Sequence, residues 1–310
     1  MYDTIKIKKK ITLQQNLLLN DNLRLLNKVS NREYENTGIV TTQTTYNDCF
    51  FSLTEKYLTA TLSLPKLLYG TNQVNFTRLD TAKVLLKIQD LLGINILDAK
   101  VLRIDFAKNI LVDYPIETYF KVLCDKDKMK RWTVGHESLY FTNQGKKIEL
   151  NFYNKNAQLR DTAQLILPEN LNKNVLRYEL RIKSNPAKIL GYPYITCATL
   201  VDVDFYNLLL NRWYNEYRSI IKLSYAPATN YGKNLTQFSR YLMTAGIEKI
   251  GAAEVYDIVN NHTAFKFNPK VRYNIKKVLR DLIKNYVGSD ANEAISELDD
   301  KMLYVLQNAA

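Results

Sequence analysis

KKIELNFYNKNAQL, residues 146–159, is the stretch on which the fold turns. Its alternation is strict: Ile148, Leu150 and Phe152 fall on one side of an extended chain and Glu149, Asn151, Tyr153 and Lys155 on the other, because successive side chains of a strand point to opposite faces. A period of two with a polar second face predicts an antiparallel strand that packs on a core by one side. Two further stretches repeat the design. In VLRIDFA, 101–107, Leu102, Ile104 and Phe106 oppose Arg103 and Asp105; in VLRYELRIK, 175–183, Leu176, Tyr178, Leu180 and Ile182 oppose Arg177, Glu179, Arg181 and Lys183.

Any one of these strands alone reads as a solvated outer face; three in one sheet would combine three carboxylates, several cations and a tyrosine hydroxyl. That set suits phosphoryl transfer. A phosphodiester repels nucleophiles by its charge, so catalysis must neutralise the charge and hold the nucleophile in line. Carboxylate oxygens are the ligands Mg²⁺ or Mn²⁺ prefer, which assigns Asp105 and Glu179, with Glu149 as a third, to metal binding. Tyr153 is the candidate nucleophile and Lys155, two residues on, its partner for charge or proton. Arg103, Arg177 and Arg181 are candidates for phosphate contacts or for pairing with the carboxylates beside them. Tyr140 and Tyr178 read as packing residues with a wet hydroxyl. His136 and His262 form no His-x-His metal pair.

Composition narrows the partner. The chain has 310 residues, 46% of them hydrophobic, and 43 Lys and Arg against 31 Asp and Glu, a net charge of +12. Nucleic acid is the expected partner of such a balance, an anionic membrane surface the second candidate. No run of about 18 apolar residues occurs and the N-terminus lacks a signal-peptide core, so the expectation is a cytoplasmic protein. Cys49, Cys124 and Cys197 are too far apart for a C-x-x-C site and are expected to be reduced.

The hydrophobic period divides the chain near residue 200. Up to there, short alternating stretches predict an antiparallel sheet, with helices over Thr77 to about Leu92 and Ile116 to Cys124; Leu85, Leu86, Ile88 and Leu92 need a sheet to pack on. Beyond it FYNLLLNRWYNEYRSIIKL, LTQFSRYLMTAG, AAEVYDIVNN, NPKVRYNIKKVLRDLIKNYVG and ANEAISELDDKMLYVL have helical period, interrupted by APATNYGKN and by Asn268-Pro269. The fold class is therefore α+β: a central antiparallel sheet in a nuclease domain over 1–200, then a helical DNA-contacting domain over 201–310. In FNPKVRYNIKKVLRDLIKNY, Asn268 caps a helix with Pro269 in its first turn. Lys270, Arg272, Lys276, Lys277, Arg280 and Lys284 lie along it as candidate phosphate contacts, and Val271, Ile275, Val278, Leu279 and Ile283 form its apolar side. RWYNEYRSII, 212–221, places aromatics beside arginines as candidate stacking partners for unpaired bases.

Four segments, in order, resemble the rolling-circle replication initiators of filamentous phages (the gene II type) and, more distantly, the initiators of small rolling-circle plasmids of Gram-positive bacteria. ATLSLPKLLYGTN is similar to a strand followed by a lysine, a leucine and a glycine turn; LRIDFAKNI to an Arg-x-Asp strand; ESLYFTNQGKKIELNFYNKNAQL to paired strands ending in Tyr-x-Lys; LRYELRIKSNPAKILGYP to an Arg-x-Glu strand and its exit. The resemblance spans about residues 60–195. It implies an enzyme that nicks one strand of a supercoiled origin, stays joined to the 5′ phosphate through Tyr153, leaves a 3′ hydroxyl for a host polymerase, and later rejoins the strand. Asp105 and Glu179 would be its metal ligands and origin DNA, duplex and single-stranded, its partner, with a host helicase to unwind the duplex. Two other readings share these residues: a DNA-binding regulator that does not cleave, and a mobilisation relaxase.

Overall fold

The computed structural model describes residues 1–34, 39–222, 235–284 and 289–308. Strand β1 (Tyr2–Lys10) and helix α1 (Leu13–Leu26) lead into strands β2 (Ser30–Tyr34), β3 (Ile39–Tyr46), β4 (Cys49–Leu53) and β5 (Tyr57–Ser63), followed by helices α2 (Leu64–Tyr69) and α3 (Arg78–Leu92) and the long strand β6 (Lys100–Val112). Next come α4 (Ile116–Val122), β7 (Leu123–Lys126), β8 (Met129–Val134), β9 (Ser138–Asn143), β10 (Ile148–Asn154), α5 (Lys155–Asp161) and β11 (Asn174–Ile182). Helices α6 (Pro186–Leu190) and α7 (Val203–Arg218) and strand β12 (Ile220–Lys222) precede α8 (Leu235–Ile250), α9 (Ala252–Asn261), α10 (Thr263–Lys266), α11 (Pro269–Lys284) and α12 (Ser289–Asn308). The expected α+β class is what forms: a ten-stranded sheet in the order β2-β3-β4-β5-β1-β6-β11-β10-β9-β8, with helices filling the C-terminal part. The expected break at APATNYGKN lies outside the described residues.

Packing groups the chain into two units that are each discontinuous in sequence: Met1–Lys108 with Glu179–Trp213, and Asn109–Tyr178 with Tyr214–Asn308. Strands β6 and β11 run through both. From α7 at Val203 onward the described elements are helices except for β12.

In the first unit β1 is the centre, antiparallel to β5 on one side and β6 on the other. Tyr2, Phe106 and Tyr206 meet edge to face, with centroids 5.5–5.8 Å apart. Helix α3 buries Val84, Leu85, Ile88 and Leu92, whereas Leu86 is exposed, one residue off the i, i+3, i+4, i+7 stripe. It ends at Gly93, whose φ of +68 only glycine takes readily and where a Cβ would stand 2.7 Å from the Asn22 amide nitrogen.

The start of α3 is a capping box. Thr77 Oγ1 accepts from the Asp80 backbone N–H at 3.2 Å, and Asp80 Oδ2 accepts from the Thr77 N–H at 2.9 Å and its hydroxyl at 2.8 Å. Burial alone would raise the Asp80 carboxyl, but hydrogen bonds from Thr77, Tyr69 and Lys83 outweigh it and bring the group to about 2. A carboxylate depressed on folding stabilises the protein above its unfolded value of about 3.9, and that stability is lost as pH falls toward 2. Thr77→Ala is expected to cost about 1 kcal/mol at neutral pH. In urea unfolding, the difference between wild type and Asp80→Ala should shrink steadily below about pH 4.

The second unit contains the β8-β9-β10 meander and a separate two-stranded sheet of β7 and β12. Here the structure corrects two expected helices. The one from Ile116 ends at Val122, and the one through FYNLLLNRWYNEYRSIIKL ends at Arg218, because Leu123–Lys126 and Ile220–Lys222 pair as strands. Both segments satisfy their backbone groups on each other, a long-range choice that local period cannot report. Their core continues through Val122, Cys124, Ile247, Tyr256, Val259, Leu279 and Ile283.

Candidate active site

The three strands singled out by alternation, β6, β11 and β10, are consecutive in the sheet. In the first unit, Arg103 and Asp105 project from β6 and Glu179 and Arg181 from β11. Arg103 holds Asp105 with two bonds, Nε to Oδ1 at 2.8 Å and Nη2 to Oδ2 at 2.6 Å. Arg181 reaches Glu179 Oε2 from Nε at 2.7 Å and from Nη2 at 2.5 Å. The acids are buried, Asp105 at 3% exposure and Glu179 at 2%, while both guanidinium side chains stay partly exposed. Burial pushes the Asp105 carboxyl up to about 6; Arg103 opposes this, the nearby Glu179 charge adds to it and Arg181 opposes it. Two buried carboxylates whose charges repel suit a hard cation, which Mg²⁺-type sites hold through one or two carboxylates plus substrate phosphate. Among the described residues no group of three His, Cys, Asp or Glu side chains is arranged to hold a metal ion.

In the second unit β10 is buried on both faces: Glu149 is 4% exposed, Asn151 2% and Tyr153 8%. Its polar side is therefore an interior, where each polar group must find a partner. Thr142 Oγ1 lies 3.5 Å from Glu149 Oε2, and Arg177 Nη1 donates to Asn109 Oδ1 at 2.8 Å. Among the described residues the buried Asn151 Oδ1 accepts no hydrogen bond. Lys155 departs from the expected extension of the strand. Asn154 Oδ1 accepts from the Ala157 N–H at 3.1 Å and turns the chain into α5, so Lys155 is the first helical residue, buried, with its ammonium donating to Gln158 Oε1 at 2.7 Å. The signal was present: Asn is a favoured N-cap. Asn109 and Thr142, in contact with singled-out residues, carry no sequence signal of their own.

A family model for the N-terminal part of the phage replication-associated protein of gene II matches residues 40–200, more than half of the 310. The chain belongs to that family. It is a rolling-circle replication initiator of the filamentous-phage gene II type, and DNA is its partner. The matched segment contains Asp105, Glu149, Tyr153 and Glu179. No curated protein matches the chain. No described helix is long and apolar enough to cross a membrane.

In this gene II-type initiator the basic helix is α11, capped as expected: Asn268 Oδ1 accepts from the Val271 N–H at 3.2 Å. Its cations divide. Lys270 and Lys277 are exposed and Arg272 half-buried, but Lys276 and Arg280 turn onto Asp125, which is fully buried on β7, at 3.3 and 3.1 Å. Leu279 and Ile283 are buried as expected, whereas Val271 and Val278 are exposed. Asp125→Ala empties the site of a fully buried carboxylate that two cations share, leaving Lys276 and Arg280 to repel each other around a cavity, and is expected to cost about 3 kcal/mol in urea unfolding. Of the aromatics of RWYNEYRSII, Trp213 and Tyr217 are fully buried, and the Tyr217 hydroxyl donates to Asp299 at 2.6 Å, which removes these two as base-stacking partners. Tyr214 is half-buried, with the Arg218 guanidinium 5.9 Å from its ring centre.

Proposed function

We propose that this initiator cuts one strand of its origin by attack of Tyr153 on a phosphodiester. The phenol oxygen of Tyr153 gives up its proton and forms the new bond to phosphorus, the bond from phosphorus to the 3′ oxygen breaks, and that oxygen takes up a proton as a 3′ hydroxyl, so the step is proton-neutral. The 5′ phosphate stays on the tyrosine, so the bond energy is kept for rejoining when a 3′ hydroxyl attacks the phosphotyrosine. Asp105 and Glu179 would hold Mg²⁺ or Mn²⁺ together with a phosphate oxygen of the DNA. When bound, the ion supplies charge neutralisation at a phosphate oxygen. Lys155 is assigned to the charge that develops on Tyr153. Arg103, Arg177, Arg181 and the exposed cations of α11, Lys270 and Lys277, are assigned to DNA. The 3′ hydroxyl would prime a host polymerase behind a host helicase in the bacterial cytoplasm.

Family membership supports this reading, and the observation that carries it is the burial of the polar strand faces. Ionisable side chains at 2–8% exposure on adjacent strands cost desolvation that apolar residues would avoid, and function is the reason to keep them. The test is conversion of supercoiled plasmid carrying the parental origin to open circle with Mg²⁺ or Mn²⁺. Open circle whose 5′ end resists phosphatase and kinase labelling even after protease has digested the protein, because the tyrosine ester stays on the 5′ phosphate, supports the proposal. Product with a free 5′ phosphate identifies a hydrolytic nuclease instead.

A further inference from the structure

Cross-strand register aligns side chains on one face of the β8-β9-β10 meander. Trp132, Tyr140 and Asn151 form one row, and Val134, Ser138 and Tyr153 the next. The Trp132 indole lies flat on the Tyr140 ring, with centroids 4.1 Å apart and planes 10° from parallel. Its Nε1 donates to Thr142 Oγ1 at 3.1 Å, which fixes the ring's orientation. Trp132 nonetheless stays 36% exposed, on the strand that forms the edge of the sheet. Tryptophan held by a hydrogen bond, stacked on one side and left open on a strand face is spent on a surface, not on the core. Lys128, Lys130, Lys146 and Lys147 are exposed at the end of the meander where Met129 pairs with Asn143, the end away from Tyr153. In the aromatic row itself, Asn151 supplies the buried acceptor that has no donor among the described residues.

We propose that Trp132, backed by Tyr140, is a stacking platform for an unpaired base of single-stranded DNA, with the four lysines along its phosphates. Every base has a flat face, so such a platform grips a single strand without reading its sequence, and a cationic rim supplies the backbone contact. Neighbouring strands are about 4.8 Å apart, so the platform sits about 10 Å from the β10 strand that bears Tyr153. That spacing would hold the strand near the nucleophile. The siting beside Tyr153 rests on the function proposed above; the platform does not.

The chain has two tryptophans, and Trp213 is fully buried, so emission responding to a stacked base reports Trp132. Titrating the full chain with a short oligothymidylate, without divalent cation, should quench emission. Trp132→Ala should bind about 5- to 100-fold more weakly, and Trp132→Phe, which keeps a stacking ring, should recover most of the affinity. No quenching in the wild-type protein, or Trp132→Ala binding within about twofold of it, would overturn the platform. Failure of the nucleophile assignment would show separately, as a covalent DNA adduct that persists in Tyr153→Phe while quenching is retained.

Discussion

Tyr153→Phe is expected to abolish covalent attachment of the protein to DNA and to slow strand cleavage by about 10⁴-fold or more, since the variant keeps every contact except the attacking oxygen. The substitution is mild for the fold. Tyr153 is 8% exposed on a strand buried on both faces, and phenylalanine fills the same volume. Stability should change by about 1 kcal/mol or less and oligonucleotide binding should be preserved. Denaturing gels of labelled oligonucleotide under single-turnover conditions check the rate, and fluorescence anisotropy checks the binding. An adduct that survives in the variant would assign the attack to another tyrosine.

The second large effect concerns Asp105 and Glu179. Asp105→Asn and Glu179→Gln should each lower cleavage by about 10³-fold, the scale of losing one group that neutralises transition-state charge, and EDTA should do the same to the wild-type protein. The energetics separate catalysis from architecture. A purely structural ion pair, once broken, would leave Arg103 or Arg181 without its anion and cost about 3 kcal/mol if both partners were buried. Both guanidinium side chains are instead partly exposed, 31% for Arg103 and 23% for Arg181, and burial already pushes Asp105 up to about 6. Neutral amides of the same shape should therefore leave stability within about 1 kcal/mol of wild type. Parallel loss of cleavage and stability in urea unfolding would return both acids to a structural role.

Much of this fold is written in local pattern. Alternation through Leu102, Ile104 and Phe106, through Leu176 and Leu180, and through Leu150 and Phe152 identified three strands that do form and do lie consecutively in the sheet. Thr77 before α3 and Asn268-Pro269 before α11 announced helix starts through capping chemistry that acts over three residues. Helix α1 carried the same kind of signal, Thr12 and Gln15 in a capping box, but its interior NLLLNDNLRLL buries only Leu19 and Leu23, too weak a stripe for period to reveal. What stayed hidden was non-local. The pairing of β7 with β12 joins segments almost a hundred residues apart. Alternation says which side chains share a face, but only the elements packed above that face decide its depth, so the burial of Glu149, Asn151 and Tyr153 was not legible. The same limit applies to Trp213 and Tyr217, whose aromatic-and-arginine context reads as a surface while helix packing makes it core. Trp132, with a hydrogen bond that orients it and a tyrosine beneath it, became conspicuous only once register had set Thr142 and Tyr140 beside it.

The most direct measurement is to trap the protein on a labelled single-stranded oligonucleotide from its own origin, digest the adduct and locate the modified peptide by mass spectrometry. A 5′-phosphonucleotide on the oxygen of Tyr153 is the predicted result. A modified peptide carrying any other residue, or complete cleavage with no peptide-linked nucleotide, would contradict the assignment of Tyr153 as the group that cuts and rejoins the strand.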